Sequence, residues 1–283
     1  MPKLVIGVPC YNERPYIRDC LSSLATNDLT DVQIVVSDNG STDGCLNEIN
    51  EILTELPNEK SACVDLQTRN ETVSAAENFA SVFDQTDSEY FLWVGAHDAL
   101  TTNFLSSCVA EIDANPQASM VSGKALGTDT KATKLVDLNI QYKFDSPDPL
   151  NRYLQSVKEL NNCTVLHSIF RRSALDGFTF SEKCPSLDHI IISNLLWNGT
   201  LVYKEEAGYI RRYFDNENRQ AKSSKGHYVN GSNKSVFFNA YIENFERLVD
   251  GRYPEAIKGH LKNLLFNTLC QRFGLPNVMH EVA

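Results

Sequence analysis

No stretch of 18 apolar residues occurs in this 283-residue chain, so an ordinary transmembrane helix is not expected. There is also no basic n-region followed by an apolar h-region. MPKLVIGV runs directly into a strand pattern, and a cytoplasmic protein, at most peripheral to the inner face of a membrane, is expected. Eight cysteines, at 10, 20, 45, 63, 108, 163, 184 and 270, never form a CxxC pair. Their spacing suggests neither a zinc knuckle nor a redox motif, and reduced, largely buried thiols are expected. Positive charge is scarce as well. The chain carries a net charge of −10, divided as −14 over residues 1–218 and +4 over residues 219–283. So acidic a body lacks the basic surface that phosphate neutralisation needs, which argues against nucleic acid as a partner. The basic tail suits either an anionic membrane or the acidic body itself.

Alternating strand and helix patterns fill the first 125 residues. LVIGV (4–8), VQIVVS (32–37), CVDL (63–66) and YFLWV (90–94) read as buried strands. Helical patterns fall between them: 15–24 with proline in its first turn, an amphipathic segment through Leu53, and 72–83. Another follows from about Thr101 to Asp113. Such alternation predicts βαβ units and a mostly parallel sheet covered on both faces. Ligands of these sheets bind at the carboxyl ends of strands. The polar clusters lie at those ends: PCYNE, SDNGSTDG, TRNET and GAHDA.

Beyond residue 123 the pattern weakens. Residues 123–148 read as a loop with short strands at most, followed by a helix after Pro149. TVLHSIF (164–170) reads as a strand, RRSALDGF as a short helix, and 185–199 as a helix closed by glycine. TLVYKEEAGYIRRYF (200–214) has strand character, and 216–234 is polar. Two helices are then expected, one with apolar positions from 237 to 249 and one from about Pro254 to Phe273. They make a hairpin packed on the body, a dimer surface or a peripheral membrane contact. We place the main domain at 1–218 and the linker plus hairpin at 219–283.

In this order, "VPCYNERPYIRDCLSSL", "IVVSDNGSTDG", "TRNETVSAAENF", "YFLWVGAHDALTTNFL", "SIFRRSALDGF", "PSLDHIIISNLLWNGTLVY" and "YIRRYFDNEN" resemble the family 2 glycosyltransferases. The resemblance spans residues 4 to about 214. It implies an α/β, Rossmann-like GT-A fold with a C-terminal helical extension. It further implies inverting transfer of a sugar from a nucleotide diphosphate, most often UDP or dTDP, to a hydroxyl of a saccharide or lipid-linked saccharide, as in surface polysaccharide or glycolipid synthesis.

Residue by residue, the resemblance makes Asp38 the acceptor for the imide N–H of a pyrimidine base. Pro9, Tyr11, Asn12, Glu13, Asn70 and Asn78 become nucleotide contacts. The residues themselves also allow plain turn and capping chemistry at Asn39-Gly40-Ser41-Thr42 and a solvated face for Asn78. Arg69, Ala96, His97, Arg211 and Arg212 would approach the donor phosphates or sugar. Asp188 matches the second acid of the family's base motif, with Leu187 in place of the first, and would take the acceptor proton. Its alternative is a helix N-terminal aspartate favoured by the dipole. His189 assists or packs, Glu182 is the next carboxylate, and His227 is a lid or a solvated loop residue.

FLWVGAHDAL departs from the pattern. Family members carry Asp-x-Asp or Asp-x-Asp-Asp here, holding Mn²⁺ or Mg²⁺ against the diphosphate. Gly95 and His97 replace the first two acids, and Asp98 remains. His97 is left to ligate the cation with Asp98, to meet phosphate as an imidazolium, or to pack. A competing function is a nucleotide-sugar binding module without catalysis. A nucleotidyltransferase would need a glycine-rich loop after the first strand, and PCYNERP has none.

Overall fold

A computed structural model describes residues 1–181, 184–213, 229 and 233–276. Its described strands form one sheet of nine, in the order β3-β2-β1-β4-β8-β6-β9-β5, with β7 paired to β6. The strands are β1 (Leu4–Cys10), β2 (Val32–Asp38), β3 (Val64–Thr68), β4 (Tyr90–Trp93), β5 (Ala99–Leu100), β6 (Ala118–Thr128), β7 (Leu135–Asp137), β8 (Ile169–Arg171) and β9 (Thr200–Arg212). The β3-β2-β1-β4 block is parallel, and β8 is antiparallel to both β4 and β6. β6 and β9 then run parallel through a ladder from Ala118–Thr200 to Thr128–Arg212.

Strand alternation divides the core between the two faces. Leu4, Ile6, Val8, Ile34, Val36, Leu92 and Val94 join one cluster, over which lie α1 (Arg14–Ala25), α2 (Cys45–Glu55) and α5 (Phe104–Ala114). Val5, Val35, Phe91 and Trp93 join the other. That face is covered by α4 (Ala75–Asp84), α6 (Pro149–Glu159), α7 (Leu187–Asn198), α8 (Lys234–Val249) and α9 (Glu255–Phe273). A short α3 (Asn58–Ser61) precedes β3. Gly7 lets α4 approach β1 closely, because a Cβ there would lie 2.6 Å from Val82 Cγ2.

The structure departs from the sequence expectations in the middle of the chain. Residues 118–128 form an eleven-residue strand where 123–148 reads as loop. TVLHSIF is not one strand. Cys163–His167 form a 3-10 turn, opened by Asn162 Oδ1 accepting from Thr164 N at 2.9 Å, and only Ile169–Arg171 enter the sheet. RRSALDGF contributes a 3-10 turn over Arg172–Leu175.

The C-terminal helices use their apolar stripes on the body. Phe237, Tyr241, Phe245, Leu265 and Leu269 are fully buried in the same cluster as Trp93 and Trp197. A buried hydroxyl chain links three helices: Ser156 Oγ to Ser193 Oγ at 2.7 Å, Ser193 to Tyr241 Oη at 2.8 Å, and Tyr241 onto His189 O at 3.0 Å. Arg272 of α9 caps α6 by donating to the carbonyls of Lys158 and Leu160. The boundary expected near residue 218 lies outside the described residues.

Candidate active site

The carboxyl ends of β1 and β2 meet in a knot of loops. Asp38 closes β2 opposite Cys10 and is 2% exposed. Its Oδ2 accepts from Ser41 N at 3.2 Å, while its Oδ1 is buried with no hydrogen-bond partner. A buried, unsatisfied carboxylate oxygen is costly. The loops around it are fixed by their own side chains. Asn12, at φ 54°, donates its N–H to Ser41 Oγ and accepts from Thr42 N at 2.8 Å. Asn39 clamps Val73 through both its amide atoms. Asn78 is 3% exposed and faces the sheet: Ser37 Oγ donates to its Oδ1 at 2.7 Å, and its Nδ2 donates to Ser37 O. The side-chain oxygen of Asn12 and the whole amide of Asn78 are therefore occupied in holding loop and helix. Tyr11 stands 47% exposed at the rim, and Pro9 is half-buried in β1. Arg69 follows β3 beside Asp38, its N–H on Asp38 O and its Nε buried without a partner. Asn70 is exposed.

At the end of β4, Gly95-Ala96-His97-Asp98 fold into a turn closed by Asp98 N onto Gly95 O. Asp98 is 3% exposed and already serves two donors. Tyr209 Oη lies 2.7 Å from its Oδ2, and Arg212 N lies 2.8 Å from its Oδ1. Burial and the Asp98 charge push the Tyr209 phenol well up, so it remains a donor. The missing first acid has a steric reason. A Cβ on Gly95 would lie 2.8 Å from Asp98 Oδ2, which Tyr209 holds in place. His97 bridges the strand ends, with Nδ1 3.1 Å from Glu13 Oε1 and Nε2 3.8 Å from Asp98 Oδ1. Ala96 is buried.

Arg211 and Arg212 differ because successive residues of β9 point to opposite faces. Arg212, 4% exposed, straps the site from below. Its Nε donates to His97 O at 2.9 Å, a terminal nitrogen donates to Thr130 O at 2.9 Å, and the other pairs with Asp19 at 2.7 Å. Its guanidinium also stacks over Tyr16. Arg211 instead turns toward the 3-10 turn and donates to Thr164 Oγ1 at 3.0 Å.

Asp188 lies in the first turn of α7, two residues after Ser186 at φ 50°. A non-glycine residue in that region costs on the order of 1–3 kcal/mol and persists only where its surroundings enforce it. The Cys163 thiol hydrogen-bonds to Asp188, and burial first and that carboxylate second push the thiol well up. Arg211 lies close enough to Cys163 to oppose this shift. The next residue, His189, faces the other way. Its ring packs edge-on to Phe237 and Phe273, and burial lowers its pKa.

Beside the GAHD turn stands His167, which sequence patterning missed because it looked like one polar position in an apolar strand. Its Nδ1 lies 2.8 Å from Trp93 O. A carbonyl only accepts, so the proton sits on Nδ1 and the lone pair on Nε2. The ring stacks on Tyr209 at 4.4 Å, and burial lowers its pKa. Glu182 and His227 lie outside the described residues.

Polar groups at four strand ends, an unpaired carboxylate oxygen among them, converge here on one edge of a mostly parallel sheet. Comparison with known sequences decides the kind of protein: the profile of glycosyl transferase family 2 matches residues 5–178. The chain belongs to glycosyl transferase family 2. Among family relatives, a GalNAc(5)-diNAcBac-PP-undecaprenol beta-1,3-glucosyltransferase of Campylobacter jejuni is 22% identical over 229 residues, 76% of this chain and 64% of its own length. A glycosyltransferase of Streptococcus pneumoniae is 27% identical over 110 residues, 39% of this chain and 15% of its own. This chain thus spans less than two thirds of either relative. Among solved structures, S. aureus TarS 1–349 in complex with UDP-GlcNAc superposes with a TM-score of 0.66 at 19% identity. The match covers 95% of this chain and 73% of that one. The mannosyltransferase PcManGT from Pyrobaculum calidifontis, in complex with GDP-Man and Mn²⁺, gives a TM-score of 0.53 at 14% identity, covering 96% and 74%. These likenesses establish the GT-A-like fold.

Proposed function

We propose that this family 2 chain transfers a sugar, with inversion, from a UDP- or dTDP-sugar to a hydroxyl of a saccharide or lipid-linked saccharide. That acceptor class is the one named for the C. jejuni relative. The observation that carries the proposal is the buried Asp38 Oδ1 with no partner. The imide N–H of uracil or thymine satisfies that oxygen, and Tyr11 at the rim offers a stacking face. Arg211 and His97 then lie toward the diphosphate. Asp188 accepts the proton of the acceptor hydroxyl as its oxygen attacks the anomeric carbon, and the bond from that carbon to the diphosphate oxygen breaks. Arg211 meets the charge that appears on the leaving diphosphate.

The residues at the GAHD turn fit a divalent cation as two ligands, His97 Nε2 and Asp98 Oδ1, at 3.8 Å from each other. Diphosphate and water oxygens would complete the shell, as Mg²⁺ and Mn²⁺ sites commonly allow. When bound, such an ion screens the donor phosphates. Calorimetry with UDP, dTDP and GDP tests the base assignment. Asp38→Ala is expected to weaken UDP or dTDP binding by about 1–3 kcal/mol, the worth of a charge-assisted hydrogen bond. Equal UDP affinity in both proteins would remove Asp38 from the site. A binding module without turnover is the second reading, favoured by Gly95 and by the two hydrogen bonds that already engage Asp98.

A further inference from the structure

Cys10 and Cys45 are 35 residues apart in the chain, so no sequence spacing joins them, but the fold brings their sulfurs to 3.2 Å. Cys10 ends β1, Cys45 opens α2, and Asp38 ends β2 beside them. One ligand atom from each of the three lies within 4.8 Å of the others, and all three residues are buried. The Asp38 oxygen without a donor is a second, independent observation that something is missing there.

We propose that Cys10, Cys45 and Asp38 form a three-ligand site for a thiophilic d¹⁰ cation such as Zn²⁺, and that this cation and the nucleotide base compete for Asp38. The competition half of the proposal rests on the base assignment above; the metal half does not. Zinc and its congeners favour thiolate with a carboxylate oxygen, in tetrahedral geometry. Metal–sulfur bonds of about 2.3 Å at tetrahedral angles place two sulfurs roughly 3.8 Å apart. The pair needs to open by only about half an ångström from its present contact. Without a cation, the hydrogen bond to Cys45 together with burial pushes the Cys10 thiol up, so it keeps its proton. Binding releases both protons to solvent, and two thiolates and one carboxylate face one dication. The remaining negative charge lies at the first position of α2, where the helix dipole favours it. Asp38 keeps its bond from Ser41 N through Oδ2 while Oδ1 turns to the metal. With Oδ1 taken, the imide N–H of a base has no acceptor.

The experiment uses the full chain, freed of metal, and titrates it with Cd²⁺. Its thiolate charge-transfer absorption reports only sulfur ligation. One equivalent is expected to raise that band and to weaken UDP binding by at least tenfold in calorimetry. Cys10→Ser and Cys45→Ser are each expected to abolish the band and the Cd²⁺ effect while leaving UDP affinity without metal unchanged. In the unsubstituted protein, cadmium NMR is expected to give one resonance in the two-thiolate range. This readout holds even if a serine variant folds poorly. A band that survives in both variants, no band at all, or a resonance outside the two-thiolate range would overturn the site. A normal band with unchanged UDP affinity would overturn the sharing of Asp38. Failure of the base assignment looks different: Asp38→Ala would then bind UDP normally, whereas the unsubstituted protein would still show the cadmium band.

Discussion

The two adjacent arginines of β9 should respond to truncation in opposite ways. Arg212→Ala removes two bonds to part-buried backbone carbonyls, at His97 and Thr130, and the stack on Tyr16. Its ion pair with Asp19 counts for little, because that aspartate side chain is 53% exposed. Hydrogen bonds to charged groups contribute about 1.5–3 kcal/mol each. The expected loss is therefore about 3–6 kcal/mol, which at this chain length lowers Tm on the order of 10 °C. Arg211→Ala loses one good bond to a hydroxyl and a 3.4 Å contact with Asn162. That is ~1 kcal/mol or less, but under the proposed mechanism its guanidinium meets the leaving diphosphate. Differential scanning calorimetry beside a transfer assay separates the two. Arg211→Ala should melt close to the unsubstituted protein and lose most turnover. A normal Tm for Arg212→Ala combined with lost donor affinity would mean that Arg212 faces phosphate and that the strand alternation is misassigned.

If His97 and Asp98 hold the donor cation, EDTA suppresses transfer, Mn²⁺ restores it, and His97→Asp retains more activity than His97→Ala. EDTA-insensitive activity with His97→Asp the worse variant assigns the imidazole to phosphate instead. Burial lowers the His189 pKa, so the unfolded chain binds its proton first. The stability this neutral imidazole contributes is complete above the unfolded pKa of about 6.5 and is lost as pH falls below it, with a slope of at most about 1.4 kcal/mol per pH unit. Between about pH 7.5 and about pH 5.5, Tm should fall more steeply in the unsubstituted protein than in His189→Phe; equal slopes would contradict this.

The first half of the fold was legible because its signals are local. Short β-branched runs and Gly- or Pro-marked turns identified β1 to β4 and the loops that carry Asp38 and the GAHD turn. The second half depends on long-range pairing. β6 is interrupted by Gly123, Lys124 and Gly127, and it is a strand because β9 pairs along it, about 80 residues away in the chain. The turn at Cys163–His167 matched a strand pattern in its apolar residues, yet Asn162 caps it into a 3-10 turn, placing Cys163 on Asp188 and His167 under Tyr209. Side-chain direction was equally hidden. Asn78 looked available to a ligand but is tied to Ser37, and Arg211 and Arg212 looked equivalent until β9 separated them.

The central claim is that Asp188 takes the acceptor proton, and Asp188→Asn tests it most directly. Single-turnover transfer with a competent donor, measured beside calorimetric donor binding, separates chemistry from affinity. The amide keeps the side chain's shape and its acceptor for His189 N, but it cannot take a proton. The account predicts a fall in kcat on the order of 10²-fold or more with donor affinity unchanged. Turnover near that of the unsubstituted protein would move the base elsewhere and contradict the account.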